Sequence, residues 1–387
     1  MADEVLPTES LDAPDLLRGG LYYSFMQRFG VASDVAGHAA RNALTVALML
    51  WIPVAGLALI EGNALPGAQV AVPFFFDVSA YARSLLVVPL LLIARPILAT
   101  AWKHVGGKLR ERGVVGPESR AAADALAARV TRSARRVLPN AVCLGLALLV
   151  SSQLTALVEA EPSNTWFARS VAGGGSRLTW AGRWSAFVVH GVVFYLSLGW
   201  FWRLFLWYRY LAGIARLPLN LFPLHPDRAA GLGVVGKTIA AAAPLVLAWT
   251  IGLAAPAASV MLHAGEKVET FIPLGIGLAI VVLLLLVLPP VLILAPQIYR
   301  ARRDALEEWG SRMARTGEGM RRHANGDEAG LEDLQIAVSS VRSMLPFPLA
   351  LAHLLPLVLA MALPTLGLVL LAVPFREVLH RLVGLLR

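Results

Sequence analysis

A single cysteine, Cys143, stands in the whole chain, inside an apolar run. An intramolecular disulfide, a Cys-x-x-Cys redox pair and a thiolate metal cage are therefore excluded. Charge is scarce as well: Asp, Glu, Lys and Arg make up 15% of the residues, whereas 57% are hydrophobic. A soluble domain usually carries about 25% charge. There is no His-Glu-x-x-His segment, and His190, His263 and His353 fall in separate apolar segments or at their ends, so no metal site is expected. No cofactor is implied. The first residues, with Asp3, Glu4, Glu9, Asp12 and Asp15, lack a basic stretch leading into an apolar core. A cleaved secretory signal is not expected.

Long apolar runs are what the chain has in abundance. A hydrocarbon core of ~30 Å needs about 20 helical residues at ~1.5 Å each. Runs of that order lie near Ala43 to Ile60, Ser84 to Ala101, Val137 to Val158, Trp184 to Phe205, Thr238 to Leu262, Phe271 to Ile298 and Pro346 to Phe375. The expected fold is all-α: a polytopic transmembrane helix bundle of about seven spans with short amphipathic cytoplasmic helices. Residues 1–42 then form an N-terminal cytoplasmic or interfacial segment, and 43–298 a six-span bundle with a basic loop at 102–136. Residues 299–345 form a cytoplasmic helical connector, and 346–387 a Pro-rich span followed by an interfacial helix.

Lys and Arg outnumber Asp and Glu by 34 to 25. The surplus collects between apolar runs, which is the positive-inside pattern of a membrane protein and not a nucleic-acid footprint. Lys103, Lys108, Arg110, Arg112, Arg120, Arg129, Arg132, Arg135 and Arg136 follow the second run, whereas the connection after the first has only Arg83, at its far end. The basic loop belongs in the cytoplasm, and alternation places the N-terminus there too, in a bacterial inner membrane. Seven crossings leave Arg376, Arg381 and Arg387 on the outer face, against the rule. In that tail Val378, Leu379, Leu382, Val383 and Leu386 recur at helical spacing opposite charged residues, as in a helix lying in the interface. Two half-helices that double back would resolve the conflict, but about 30 apolar residues are too few for two full spans, and a single crossing is favoured.

Trp180 and Trp184 are expected at the outer interface, and Trp200, Trp202, Trp207, Tyr208 and Tyr210 at the inner one, because amphipathic rings favour headgroup depth. Pro117 suits the first turn of a helix running to Arg136, and Leu331, Leu334, Val338 and Val341 form an apolar stripe on a segment that could open at Asp327. Such stripes pack on the membrane face, on each other, on a second copy in a homo-oligomer, or on a membrane partner.

Gly231-Leu232-Gly233-Val234-Val235-Gly236-Lys237-Thr238 fits both Gly-x-Gly-x-x-Gly and Gly-x-x-x-x-Gly-Lys-Thr. A phosphate cradle of that kind works only between a buried strand and a helix. Here an aromatic, helix-like run precedes it and a membrane-length run follows, so nucleotide binding is not expected. Small glycines instead allow close helix packing, and Lys237 marks the cytoplasmic end of a span. Immediately before lies Pro223-Leu224-His225-Pro226-Asp227-Arg228-Ala229-Ala230-Gly231-Leu232-Gly233, the densest polar constellation near the membrane.

This segment resembles one found in a family of bacterial multi-pass membrane proteins, uncharacterised in function, that carry His-Pro-Asp-Arg-Ala-Gly-Gly-Leu-Gly between two spans. Ala230 replaces the first glycine of that pair. Met344-Leu345-Pro346-Phe347-Pro348, with the Pro-rich apolar run and short basic tail after it, is similar to the family's ending. The resemblance covers the C-terminal half and implies architecture, with no activity, cofactor or substrate.

Two readings of the segment stay open. In one, Asp227 caps the following helix and Arg228 meets lipid phosphate. In the other, His225, Asp227 and Arg228 converge on an anionic ligand or relay protons. Within the membrane the costly residues are Arg95, Asn140, Gln153, His190 and His353. Arg95 is either a functional charge at depth or a long side chain snorkelling towards Lys103. No Asp or Glu falls inside an assigned span, which argues against proton- or cation-coupled transport. The expected function is a non-enzymatic membrane component, a scaffold or sensor. A transporter or channel is the alternative, and a membrane enzyme acting on lipid headgroups is third.

Overall fold

The computed structural model describes residues 13–16, 36–67, 70–322, 328–345 and 347–372. Among them are nine helices of 15 residues or more and one short β-hairpin. In chain order the helices are α1 (Ala36–Ile60), α2 (Val78–Glu111), α3 (Pro117–Ala134), α4 (Val137–Ala160), α5 (Trp180–Ile214), α6 (Gly233–Ala264), α7 (Val268–Arg315), α8 (Glu328–Arg342) and α9 (Leu351–Ala372). Strands β1 (Ala168–Ser170) and β2 (Ser176–Leu178) pair antiparallel, with Arg169 opposite Arg177.

Seven of these helices, all except α3 and α8, are long and apolar enough to cross a bilayer. Their outward faces expose large apolar side chains such as Met49, Leu149, Leu157, Ile276, Leu292 and Leu363. In water such a girdle would drive aggregation, whereas in lipid it is the solvated surface. The chain is an integral, multi-pass membrane protein in contact with the bilayer.

The connections sort to two ends. At one, the basic end, Val115 bridges Leu219 and the Leu345 N–H donates to the Arg228 carbonyl at 2.8 Å. This brings together residues 112–136, 215–232 and 343–345. At the other, the hairpin end, Val72 bridges Thr165 and the Ala71 N–H donates to the Asn164 carbonyl at 2.8 Å, which joins 61–77 to the β-hairpin.

Several helices outrun the apolar windows that announced them. The second run was expected over Ser84 to Ala101, yet α2 extends from Val78 to Glu111. Backbone hydrogen bonding continues through headgroup depth, where charged side chains are welcome, so hydropathy marks only the lipid-solvated middle. Arg83, assigned to a connection, therefore lies inside α2. Helix α9 is a single continuous helix through Pro356 and Pro364. His353 stands beside Gly236 at the basic end, and Leu368 packs with Ala254 and Ala257 towards the other. The two-half-helix alternative is thus not the conformation of 351–372. The tail stripe from Val378 to Leu386 and the opening at Asp327 lie outside the described residues.

The inner aromatic belt needs correction. Trp200, Trp207 and Tyr210 are 1%, 1% and 2% exposed and belong to the core. Trp207 stacks on Trp102 with centroids 5.4 Å apart, and the Trp200 Nε1–H donates to the Leu91 carbonyl at 3.0 Å. With Leu204, Leu211 and Ile214 they form one stripe at three- and four-residue spacing, the side of α5 that faces the bundle. Trp180, at the hairpin end, is exposed as expected.

At the basic end α3 starts with Pro117 in its first turn, after Gly116. The Asp15 N–H reaches the Thr131 hydroxyl of α3 at 3.0 Å. On α8, of the expected stripe Val341 is buried and Leu334 and Val338 are half-buried, with Ala337 buried beside them, whereas the Leu331 side chain lies outside the described residues. The Arg302 side chain on α7 closes the pair by donating to the Arg342 carbonyl at 2.9 Å.

Candidate functional site

The His-Pro-Asp-Arg segment folds into a loop built around one carboxylate. Helix α2 stops where Gly113 adopts φ +69°, a left-handed turn that glycine takes without steric cost. Val114 then binds the neighbouring connection, its carbonyl accepting from the Asn220 N–H at 2.9 Å. That tie holds Arg112 over residues 225–233. Within the loop Arg228, Ala230 and Gly231 adopt φ of +55°, +56° and +93°. Left-handed residues interspersed with right-handed ones turn successive amides towards a common point, a nest suited to an anion.

The anion is the loop's own. Asp227 Oδ1 accepts from the amides of Ala229 and Gly231 at 3.0 and 3.1 Å, and Oδ2 from that of Gly233 at 3.0 Å. Arg112 Nη1 closes the ring, donating to Asp227 Oδ2 at 3.1 Å and to the Gly231 carbonyl at 3.0 Å. His225 Nδ1 lies 2.9 Å from Asp227 Oδ1 and 3.2 Å from the Asp227 backbone nitrogen. The two contacts are alternatives: Nδ1 with its lone pair free accepts the Asp227 N–H, and Nδ1 carrying the hydrogen donates to Oδ1.

Burial pushes the Asp227 carboxyl up, but the three amides and the His225 ring outweigh it, so its pKa lies below the ordinary carboxylate value. A depressed carboxylate contributes stability that is complete above its unfolded pKa, about 3.9, and is lost as pH falls through the lower folded value. The wild-type protein is therefore expected to lose thermal stability relative to Asp227→Asn only below about pH 4. Melting curves of both proteins from pH 3 to pH 7 check this, and a gap that stays constant over the range would contradict it.

Each glycine of the nucleotide-like pattern has a local reason. A Cβ on Gly231 would meet Val114 Cγ2 at 2.9 Å in addition to the left-handed strain. One on Gly233 would meet the Asp227 side chain at 3.0 Å, and one on Gly236 would collide with His353 Nδ1 and meet the Pro348 carbonyl at 2.9 Å. The Thr238 hydroxyl donates to the Val235 carbonyl at 2.8 Å, and Lys237 Nζ lies 3.4 Å from His104 Nε2. Gly231→Ala is expected to cost about 2 kcal/mol, from left-handed backbone plus the crowded valine. Ala230→Gly is expected to be close to neutral: relief of a left-handed alanine, about 1 kcal/mol, is offset by loss of a buried methyl, about 0.8 kcal/mol. Thermal melting of the two variants side by side checks the contrast.

Of the four candidate residues, His225 and Asp227 meet directly, whereas Arg228 does not converge with them. Its side chain is exposed, and its backbone carbonyl holds Leu345. The guanidinium on Asp227 comes from Arg112, in sequence one charge among those of the basic loop. Nor does Asp227 cap a helix through an adjacent turn, because the 3-10 turn Gly233–Val235 has Leu232 at its cap position. The carboxylate reaches its first amide across the whole loop. Arg95 is half-buried on α2, about 25 Å along the axis from Arg112, and stands apart from this cluster. The two segments that carried the family resemblance touch, through Leu345 on Arg228 and Pro348 beside Gly236.

A second polar knot, at the hairpin end, had no signal in the span assignment. Asp77, directly before α2, is 8% exposed. Its Oδ1 accepts from the Ser79 N–H and the Ser259 hydroxyl, both at 2.9 Å, and its Oδ2 from Trp166 Nε1 at 2.9 Å. At the same end the Glu61 carboxylate accepts from the amides of Trp180 and Ala181 at 2.8 and 3.1 Å, so the end of α1 neutralises the start of α5. Among the described residues no three His, Cys, Asp or Glu side chains cluster as a metal site would require.

Compared with family models, curated proteins and solved structures, the chain has no match in any of the three.

Proposed function

We propose that this protein is a non-enzymatic component of the bacterial inner membrane, a scaffold or sensor that presents a helical pair at its basic, cytoplasmic end. The observation that carries this reading is α7. Val268–Arg315 spans about 72 Å at ~1.5 Å per residue, more than twice the ~30 Å hydrocarbon core. The excess is a helix projecting from the bundle and paired with α8. Its outer surface carries Arg303, Asp304, Glu307, Glu308 and Arg312, and α8 adds Glu332, Asp333 and Ile336, the last 58% exposed. Mixed charge around an exposed isoleucine suits a transient protein contact.

The loop around Asp227 supports the same reading, since its amides and its Arg112 bonds are engaged by the loop itself. That arrangement favours a fastening between connections over nucleotide binding or headgroup chemistry. The family resemblance agrees in architecture. A photo-crosslinking residue at Ile336 is expected to yield an adduct with a second protein or second copy in cells, whereas one at lipid-facing Leu149 is expected to yield none. Equal absence of adducts at both sites, at normal protein level, would contradict the proposal. One observation favours transport as a second reading: three spans, α2, α5 and α7, contain π-turns, at Ala82–Val87, Ser185–Val189 and Leu283–Val287. Solute flux into proteoliposomes above that of empty vesicles would move the assignment there.

A further inference from the structure

Helices α6, α7 and α9 border a crevice that no side chain fills. Its floor is α6, where Ala254 and Ala257 are 8% and 3% exposed. Leu274 and Gly275 of α7 stand on one side, and Met361 and Thr365 of α9 on the other. At the hairpin end Phe271 packs against the cluster of Leu368 and Ala257 and closes the crevice there. Below that closure α7 and α9 pack more on α6 than on each other. The space between them is about 410 Å³, its open mouth included. It runs from Phe271 to Leu278 on α7 and from Met361 to Leu368 on α9, about 10 Å along each.

The residues that leave this room are small. Gly275 has open space where a Cβ would stand, and Ala254 and Ala257 add a methyl each. The two hydroxyls of the lining are turned back on their own helices: Thr250 donates to the Val246 carbonyl at 2.9 Å, and Thr365 to the Met361 carbonyl at 3.0 Å. Water or a polar solute needs several polar partners in such a space. The occupant this lining suits is apolar.

The mouth opens sideways. Leu274 is 48% exposed and Thr365 is exposed as well, whereas the floor is buried. Both rims belong to membrane-length helices, so the opening is continuous with the apolar girdle that meets lipid. Leu278 lies about 15 Å from the start of α7, which sets the crevice in the half of the hydrocarbon layer nearer the β-hairpin. An empty space there would forfeit dispersion contacts on every wall, and acyl chains are the molecules at that depth.

We propose that this crevice is a binding site for one acyl chain of a phospholipid in the leaflet on the hairpin side, held between α7 and α9 on the alanine floor of α6. Lipid tails are as apolar as the lining, so the gain over bulk lipid is packing alone, and occupancy is expected to exceed that of ordinary boundary lipid about threefold or more.

The test uses the full chain in phosphatidylcholine nanodiscs that include a small share of phosphatidylcholine with a photoreactive diazirine midway along its acyl chain. After irradiation, lipid adducts are mapped by peptide mass spectrometry. Adducts on 271–278 and 361–368 are expected to be about threefold or more denser than at Leu149 and Leu154 of α4, which lie at similar depth on an exposed apolar face. Gly275→Leu fills the space and is expected to bring the two regions level without lowering the unfolding midpoint. Equal density in the wild type, or an excess that Gly275→Leu keeps, overturns the proposal. Should Gly275→Leu fail to fold, Thr365→Leu fills the same space from α9 and decides in the same way. A photoreactive residue at Thr365 that yields chain dimers in place of lipid adducts would make the occupant a second copy and likewise overturn it.

Discussion

Asp227→Ala is expected to be among the most damaging single substitutions in this protein, lowering stability by about 3–5 kcal/mol. Three amides, of Ala229, Gly231 and Gly233, converge on that carboxylate, and Arg112 leans on it. Removing the acceptor leaves several half-buried donors and one guanidinium without a partner, and each orphaned donor costs about 1–3 kcal/mol. Water reaches part of the loop, with the Asp227 side chain 16% exposed, which keeps the total below the simple sum. Asp227→Asn retains one oxygen and is expected to lose roughly half as much. Arg112→Gln removes one arm only and is expected to fall near 1–2 kcal/mol. Unfolding midpoints in a detergent titration rank the three. A Asp227→Ala variant as stable as wild type would mean that the loop contributes nothing to the fold.

Asp77→Ala is expected to be of similar size, about 3–4 kcal/mol, by the same logic at the opposite end. Its carboxylate joins the start of α2 through Ser79, the β-hairpin connection through Trp166 and α6 through Ser259. Trp166 is 2% exposed, so its indole N–H has no water to fall back on. Arg83 would in addition lose its negative neighbour. The expected signature is a lower unfolding midpoint together with faster proteolysis in the segment 161–179. An unchanged midpoint would show the three bonds to be incidental. Because Asp77 and Asp227 lie at opposite ends of the bundle and share no partner, the double variant is expected to be additive within about 0.5 kcal/mol.

The membrane architecture was legible because lipid imposes one rule on every span: a helix of sufficient length with apolar flanks. The seven apolar runs obey it, and so does the single crossing of 351–372 despite Pro356 and Pro364. Helix ends were less legible, since α2 and α7 continue as helices into polar surroundings where hydropathy carries no signal. The tryptophans of α5 show a second limit. Trp200 and Trp207 read as interfacial from composition, yet their seven-residue spacing with Leu204, Leu211 and Ile214 was the better guide to a buried stripe.

The candidate loop was half legible. His225 and Asp227 are two residues apart, so their meeting is local. Arg112 is distant in the chain and was one of nine basic residues in its connection. Nothing local distinguishes it, apart from the glycine that follows. Asp77 carries no signal because it precedes the apolar window of its span, and Arg83 reads as a connection charge because the window begins after it. The glycine run matched a nucleotide pattern for a physical reason. A nest of amides attracts an anion whether that anion is a phosphate or an aspartate, and here Asp227 sits in it.

The central claim is that seven helices thread the bilayer so that the loop around Asp227 and the β-hairpin lie on opposite sides. Single cysteines at Glu118, Arg228, Ala172 and Glu266, all exposed positions, test it directly in a chain whose Cys143 is replaced by alanine. A membrane-impermeant thiol reagent added to sealed, oriented vesicles is expected to label Glu118→Cys and Arg228→Cys as one set, and Ala172→Cys and Glu266→Cys as the other. Labelling of Arg228→Cys together with Ala172→Cys from the same side would contradict the account.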